Sequence, residues 1–325
     1  MRILVTGSSG HLGEALMRVL GDGGDEVVGL DVLQSPFTSV VGSVADRECV
    51  HRCVAGIDAI VHTATLHKPH VGSHRRSDFV DTNVTGTLNL LEAAAMAGVG
   101  RFVFTSTTST FGRALTPADG EPAAWITEEV RPVPRNIYGT TKTAAEDLCE
   151  LVWRDHGLPC LILRTSRFFP ESDDADDRRM AYGADNLKVN ELLYRRVDLS
   201  DVVSAHLLAL EHAPAIGFAR YIVGATTPFT PEDRRSLRED LPSAVRRLFP
   251  DYEDVYERRG WTMLPSIDRV YVNARARQEL GWSPAYDFRR ALDRLAAGED
   301  PRSPLARAVG AKGYHANATG VYTTR

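Results

Sequence analysis

The chain has 325 residues, 43% of them hydrophobic and 25% charged, which is an ordinary globular composition. Its net charge of −5 gives no reason to expect nucleic-acid binding, and no window approaches the roughly 18 apolar residues of a membrane span. The cysteines at 49, 53, 149 and 160 form no C-x-x-C pair and are too sparse for a disulfide scaffold, so they read as buried thiols in a reducing compartment. The chain enters an apolar strand at once, with no basic and long apolar leader, and the expectation is a cytoplasmic protein. Asn-x-Thr triplets at Asn83 and Asn317 match a glycosylation pattern that carries no weight without secretion.

In chain order, Arg2-Ile-Leu-Val-Thr6 predicts a strand, and Gly7-Ser8-Ser9-Gly10-His11-Leu12-Gly13 follows it immediately. An amphipathic pattern on Leu12, Ala15, Leu16, Val19 and Leu20 predicts a helix, and a second strand ends on Asp31. Strand, glycine turn, helix, strand and acid form the context of a dinucleotide fingerprint. The glycines let the backbone turn tightly and approach a pyrophosphate, which then sits on the helix N-terminus. Gly7, Ser9, Gly10, His11, Leu12 and Gly13 are therefore candidate cofactor contacts, and Asp31 is placed to accept hydrogen bonds from the adenosine ribose. A carboxylate there repels a 2′-phosphate, and no Arg follows before Arg47, so the expected cofactor is NAD.

Strands continue to alternate with helices, which argues for an α/β fold, a Rossmann-type doubly wound parallel sheet. Residues 1–165 read as the nucleotide-binding domain and 166–298 as a smaller C-terminal substrate-binding part that returns some elements to the main sheet, 199–210 among them. Residues 299–325 show no periodic pattern and read as a loose tail. Tyr138 and Lys142 stand one helical turn apart, so both project from one helix face. An ammonium beside a phenol favours the phenolate, and a tyrosine tuned that way exchanges a proton with a substrate hydroxyl.

The G-x-x-G-x-x-G spacing followed by Y-x-x-x-K resembles the extended short-chain dehydrogenase/reductases, the NAD-dependent epimerase/dehydratase family that includes UDP-glucose 4-epimerase. Further landmarks are similar in the same order: Asp58-Ala-Ile-Val-His62-Thr-Ala64, Asn83-Val-Thr-Gly86, Arg101-Phe-Val-Phe-Thr-Ser-Thr107, Leu161-Ile-Leu-Arg164 and Glu279-Leu-Gly-Trp282-Ser-Pro284. The resemblance implies that His62 and Ala64 pack against the cofactor. It also implies that Thr107 and Tyr138 meet the substrate oxygen, that Lys142 holds the nicotinamide ribose, and that Asn83 supports a proton relay or the local helix geometry. It further implies a homodimer through helices around 83–97 and 138–156.

Family dehydratases follow the Thr with an Asp-Glu pair, whereas this chain has Thr108-Ser109 and lacks that acid/base pair. Hydride transfer without dehydration remains, first as a 4-epimerase acting on a secondary hydroxyl of a sugar or nucleotide sugar, with an NAD-dependent dehydrogenase or reductase of a free sugar, sugar acid or other secondary alcohol as the alternative. Candidate substrate contacts are His67, Thr108, Arg167, Phe168 and Asn186. Asn186-Leu187 resembles a pair that contacts uridine diphosphate in 4-epimerases, but Pro265 stands where an Arg often grips the diphosphate. The four histidines at 62, 67, 70 and 74 read first as solvated loop residues and second as a substrate-contacting segment through His67, Lys68 and His70, with no metal expected. The acidic run 171–179 reads as a solvated lid. A non-catalytic NAD-binding sensor is the rival from another class.

Overall fold

A computed structural model describes residues 1–171, 173 and 176–312. Part of the acidic run and the stretch 313–325, with its Asn317 triplet, lie outside the described residues. The strands in chain order are β1 (Arg2–Thr6), β2 (Glu26–Asp31), β3 (Val40–Val41), β4 (Ala59–His62), β5 (Arg101–Thr107), β6 (Ala124–Ile126), β7 (Cys160–Thr165), β8 (Phe218–Val223) and β9 (Arg269–Tyr271). Seven of them pair in parallel in the order β3-β2-β1-β4-β5-β7-β8, and β6 pairs with β9 apart from them. The sheet is Rossmann-type and doubly wound.

Burial on both faces explains the near-continuous apolar strands. Side chains alternate across the sheet, so Ile3 and Val5 enter one core while Leu4 enters the other. Helices His11–Asp22 and Leu199–Ile216 cover the first face, and Arg47–Val54, Gly86–Ala97 and Ile137–His156 cover the second. Asn136 caps the last of these by accepting from Gly139 N at 3.2 Å, which fixes Tyr138 in its first turn.

The chain runs outward from β1 to β2 and β3, then returns to the other side of β1 with β4. That reversal opens a crevice beyond the carboxyl ends of β1 and β4, where ligands bind in such sheets. After β7, Leu199–Ile216 and β8 come back to the main sheet, while Leu193, Leu237, Val245, Tyr256, Phe288 and Leu292 build a separate apolar cluster. Asp201 accepts from Ala285 N and Tyr286 N at 2.8 Å each, and Trp282 Nε1 donates to the Asp201 carbonyl. This pins the 279–284 signature to the helix Leu199–Ile216.

Two expectations change here. The helix Pro304–Val309 packs on His11–Asp22 and Leu199–Ile216 through buried Val309, and Lys312 pairs with Glu14, so the stretch from 299 to 312 is not loose. Asp173, inside the acidic run, is buried between Arg167 and Arg195 rather than solvated.

Candidate active site

A cavity of about 450 Å³ runs along the carboxyl ends of β1, β2, β4, β5 and β7. At one end the glycine turn forms a backbone cradle. Gly7 has φ +74°, and a Cβ there would lie 2.8 Å from Ala64 N; at Gly13 a Cβ would lie 1.9 Å from the Gly7 carbonyl oxygen. No side chain caps the first N–H groups of His11–Asp22, which leaves that terminus facing the cavity for an anion. Asp31 lines the same end, its carboxylate accepting from Ser9 N and Leu33 N at 2.9 Å each. Ser9, Gly10, His11, Leu12 and Ala64 also line the cavity. Burial lowers the His11 imidazole to about 4, which keeps it neutral.

Two strands across from β1, roughly 10 Å at ~4.8 Å per strand, Thr107 and Tyr138 face the cavity from the end of β5 and the adjacent helix. Neighbouring hydroxyls are engaged elsewhere. Thr105 pairs with His206 at 2.8 Å, and Ser106 donates to buried Glu146, which also takes a bidentate contact from Arg164. Thr107 instead accepts from Ser109 N at 3.1 Å, and its hydroxyl interacts with the Tyr138 phenol. Burial pushes the phenol up to about 12, and the Thr107 hydroxyl works in the opposite direction.

Lys142 departs from its expected place. It is buried behind the cavity wall with Nζ 3.8 Å from the Phe104 ring centre, and burial lowers it to about 7. It does not figure among the groups that tune Tyr138, which stands higher than its ordinary value rather than lower. Asn83, also behind the wall, accepts from Leu66 N at 2.8 Å and donates to the Leu66 carbonyl at 2.9 Å and to Thr141 at 3.0 Å. It ties the loop after β4 to the Tyr138 helix, within the π-helical turn Asp81–Thr85.

Two further residues are placed elsewhere than expected. His62 is 1% exposed and bonds Thr6 at 2.7 Å and Thr87 at 3.0 Å, so its ring braces the sheet instead of lining the cavity. Asn186 is 2% exposed and exchanges two hydrogen bonds with the Thr262 backbone, at 3.0 and 3.1 Å. Its amide is engaged there, and it does not line the cavity. His67, Thr108, Arg167 and Phe168 do line the cavity. Sequence reading missed Val32, Leu33, Ser43, Val44, Glu171 and Lys312 as lining residues, because β3 is two residues long and the segment around 312 lacks any periodic pattern. Among the described residues there is no group of three or more His, Cys, Asp or Glu side chains arranged to hold a metal, and none of the helices is long and apolar enough to cross a membrane. His67, His70 and His74 stack edge-on on one another instead.

A doubly wound parallel sheet whose switch-point cavity joins a glycine cradle to a Thr–Tyr pair defines a dinucleotide-dependent oxidoreductase. Residues 3–224 match the model of the NAD dependent epimerase/dehydratase family, and the chain belongs to that family. It is 35% identical to a dTDP-glucose 4,6-dehydratase of Streptomyces niveus, over 89% of each chain. It is 32% identical to a 2-alkyl-3-oxoalkanoate reductase of Stenotrophomonas maltophilia (strain K279a), covering 91% of this chain and 99% of the relative. A solved short-chain dehydrogenase/reductase superfamily protein from Agrobacterium tumefaciens with bound NAD superposes with a TM-score of 0.64 at 25% identity, over 95% of this chain and 97% of that one. The cofactor is NAD, and the cradle fits it: Gly7, Gly10 and Gly13 line the cavity in a turn too tight for side chains at Gly7 and Gly13, and the uncapped helix N-terminus faces the same space.

Proposed function

We propose that this protein interconverts a secondary alcohol and its ketone by net oxidation or reduction, with Tyr138 exchanging the proton at the substrate oxygen. The observation that carries this reading is the convergence of the Thr107 and Tyr138 hydroxyls on one end of the cavity whose other end is the glycine cradle. Bound NAD supplies the hydride acceptor or donor. Thr107 orients the substrate oxygen, and in the oxidation direction the Tyr138 oxygen takes the hydroxyl proton as the carbon gives up its hydride. In reduction the neutral phenol returns that proton. Gly7, Gly10, Gly13 and Asp31 are the residues that would hold the dinucleotide.

Several features support a net dehydrogenase or reductase over an enzyme of nucleotide sugars. Asn186 is committed to Thr262, Pro265 supplies no cation, and Phe168 and Phe169, which pack on His11, line the cavity with rings stacked at 4.4 Å. Thr108 and Ser109 offer no acid for dehydration. The reductase relative spans nearly its whole length on this chain. Sugar 4-epimerisation is the second reading, favoured by the family match, because the same Thr–Tyr pair serves a cycle of oxidation and re-reduction equally well. Exposed Met96 and Leu151 on the helices Gly86–Ala97 and Ile137–His156 support a homodimer through those helices, which light scattering tests.

Incubation with secondary alcohols and NAD, followed by the absorbance of the reduced nicotinamide, separates the readings. Net accumulation is the expected result. Interconversion of sugar isomers without added NAD would establish the epimerase instead, and tight NAD binding with no turnover of any substrate would favour a sensor.

A further inference from the structure

Asp31 lines the cavity at the cofactor end, and the groups that hold it in place lie partly outside that cavity. Its two carboxylate oxygens accept from Ser9 N and Leu33 N, one N–H to each oxygen, at 2.9 Å. A carboxylate oxygen accepts along two directions, so each keeps one for a ribose hydroxyl. Where those directions point depends on where Ser9 and Leu33 stand. Ser9 belongs to the glycine turn, and Leu33 to the loop after β2, 24 residues further on.

Three hydroxyls join these two segments. Ser9 Oγ lies 2.9 Å from Ser35 Oγ and 2.8 Å from Thr38 Oγ1, and the last two lie 3.0 Å apart. Thr38 Oγ1 and Ser9 Oγ both meet the Leu33 carbonyl oxygen, at 2.8 and 3.0 Å. The loop is fastened at its base as well. A Cβ at Gly29 would lie 1.9 Å from the Phe37 carbonyl oxygen, and Ser39 N donates to the Gly29 carbonyl at 2.8 Å. The Arg18 guanidinium covers the Phe37 ring at 4.9 Å. Turn chemistry accounts for serine and threonine hydroxyls that bond within two or three residues. It does not account for two that reach back 26 and 29 residues to Ser9.

Ser35 and Thr38 do not line the cavity themselves. Their cluster instead fixes both residues whose N–H groups hold Asp31, and a recognition group held by a second ring of hydrogen bonds loses little freedom on binding. These amides and hydroxyls are spent on one another and on Asp31, so none of them is left to donate to a 2′-phosphate.

We propose that Ser35 and Thr38 are positioning residues for the cofactor, which act through Ser9 and Leu33 to aim Asp31 at the adenosine ribose and so set the preference for its unphosphorylated 2′-hydroxyl. The assignment concerns dinucleotide recognition alone and does not depend on the redox reading of Tyr138.

The test is calorimetric titration of the full chain, freed of any retained nucleotide, with NAD, with NAD lacking the adenosine 2′-hydroxyl, and with NADP. Wild type is expected to prefer NAD over each of the other two by about tenfold or more, the scale of one hydrogen bond to a charged group. In Thr38→Val, which keeps the shape and removes the hydroxyl, both preferences are expected to fall to about threefold or less. Ser35→Ala is expected to act in the same direction. Thr38→Ser, which restores the hydroxyl, is expected to stay within about twofold of wild type. If Thr38→Val fails to fold, Ser35→Ala decides by the same ratios. A wild type that binds the 2′-deoxy analogue as well as NAD overturns the proposal. So does a Thr38→Val variant that keeps both preferences, or that weakens all three nucleotides equally, since equal loss reports only a loosened fold. Thr38→Ser behaving like Thr38→Val would overturn it too.

Discussion

The Lys142 ammonium lies 3.8 Å from the centre of the Phe104 ring, on the strand that ends three residues later at Thr107. A cation on a ring face gains roughly 0.5–2 kcal/mol, which offsets only part of the cost of burying it. Burial lowers this lysine from its ordinary value of 10.5 to about 7. Between those two values the unfolded chain binds more protons than the folded one, so stability rises with pH. Below about 7 both states are protonated and the burial penalty is fully present. Lys142→Met is therefore expected to raise the melting temperature of cofactor-free protein at pH 6 by roughly 2 °C or more, on the order of 1 kcal/mol at this chain length, and to flatten its rise with pH. Thermal melts from pH 6 to pH 10 check this; a variant that melts lower at pH 6 would show that the charged lysine is stabilising.

The glycine cradle supplies a matched pair of substitutions. A Cβ at Gly13 would lie 1.9 Å from the Gly7 carbonyl oxygen, whereas Gly21, in the same helix, has nothing within 4 Å. Gly13→Ala is expected to abolish retention of NAD through purification. Gly21→Ala is expected to keep NAD and to gain about 0.5–1 kcal/mol of stability from helix propensity. Cofactor content by absorbance and chemical denaturation read both.

Asn186 and Thr262 form a backbone-to-amide pair that closes the loop before β9 onto the helix Ala184–Glu191. Asn186→Ala is expected to cost about 1–3 kcal/mol, the penalty for leaving buried backbone groups without partners. KM for any substrate should stay within about twofold, because the side chain does not line the cavity. A large rise in KM at unchanged stability would return Asn186 to the substrate site.

Much of this was legible in the sequence, and for physical reasons. The glycine turn had to be local, because one strand and one helix must meet a dinucleotide within a few residues, so Gly7, Gly10, Gly13 and Asp31 could be read directly. Tyr138 was singled out by its helical spacing from Lys142, and Thr107 only by the family resemblance. What failed was direction. His62 and Asn186 carry side chains that hydrogen-bond ligands elsewhere, yet here Thr6, Thr87 and Thr262 claim them. The spacing set Lys142 one turn from Tyr138, but its burial over Phe104 depends on packing that no spacing rule records. Lys312 reaches the cavity from the far end of the chain, a contact that local pattern does not encode.

Tyr138 carries the central assignment. With its phenol pushed up to about 12, the phenolate fraction grows with pH across the working range. Alcohol oxidation is therefore expected to accelerate from pH 7 to pH 10, while ketone reduction, which uses the neutral phenol, stays nearly flat. The most direct measurement is single-turnover reduction of the nicotinamide, followed by absorbance in NAD-loaded wild type and Tyr138→Phe with a substrate that the wild type oxidises. The expected result is a rate lower by about 10²–10⁴ in the variant with NAD affinity unchanged. An undiminished rate would contradict the account and place the proton transfer on another group.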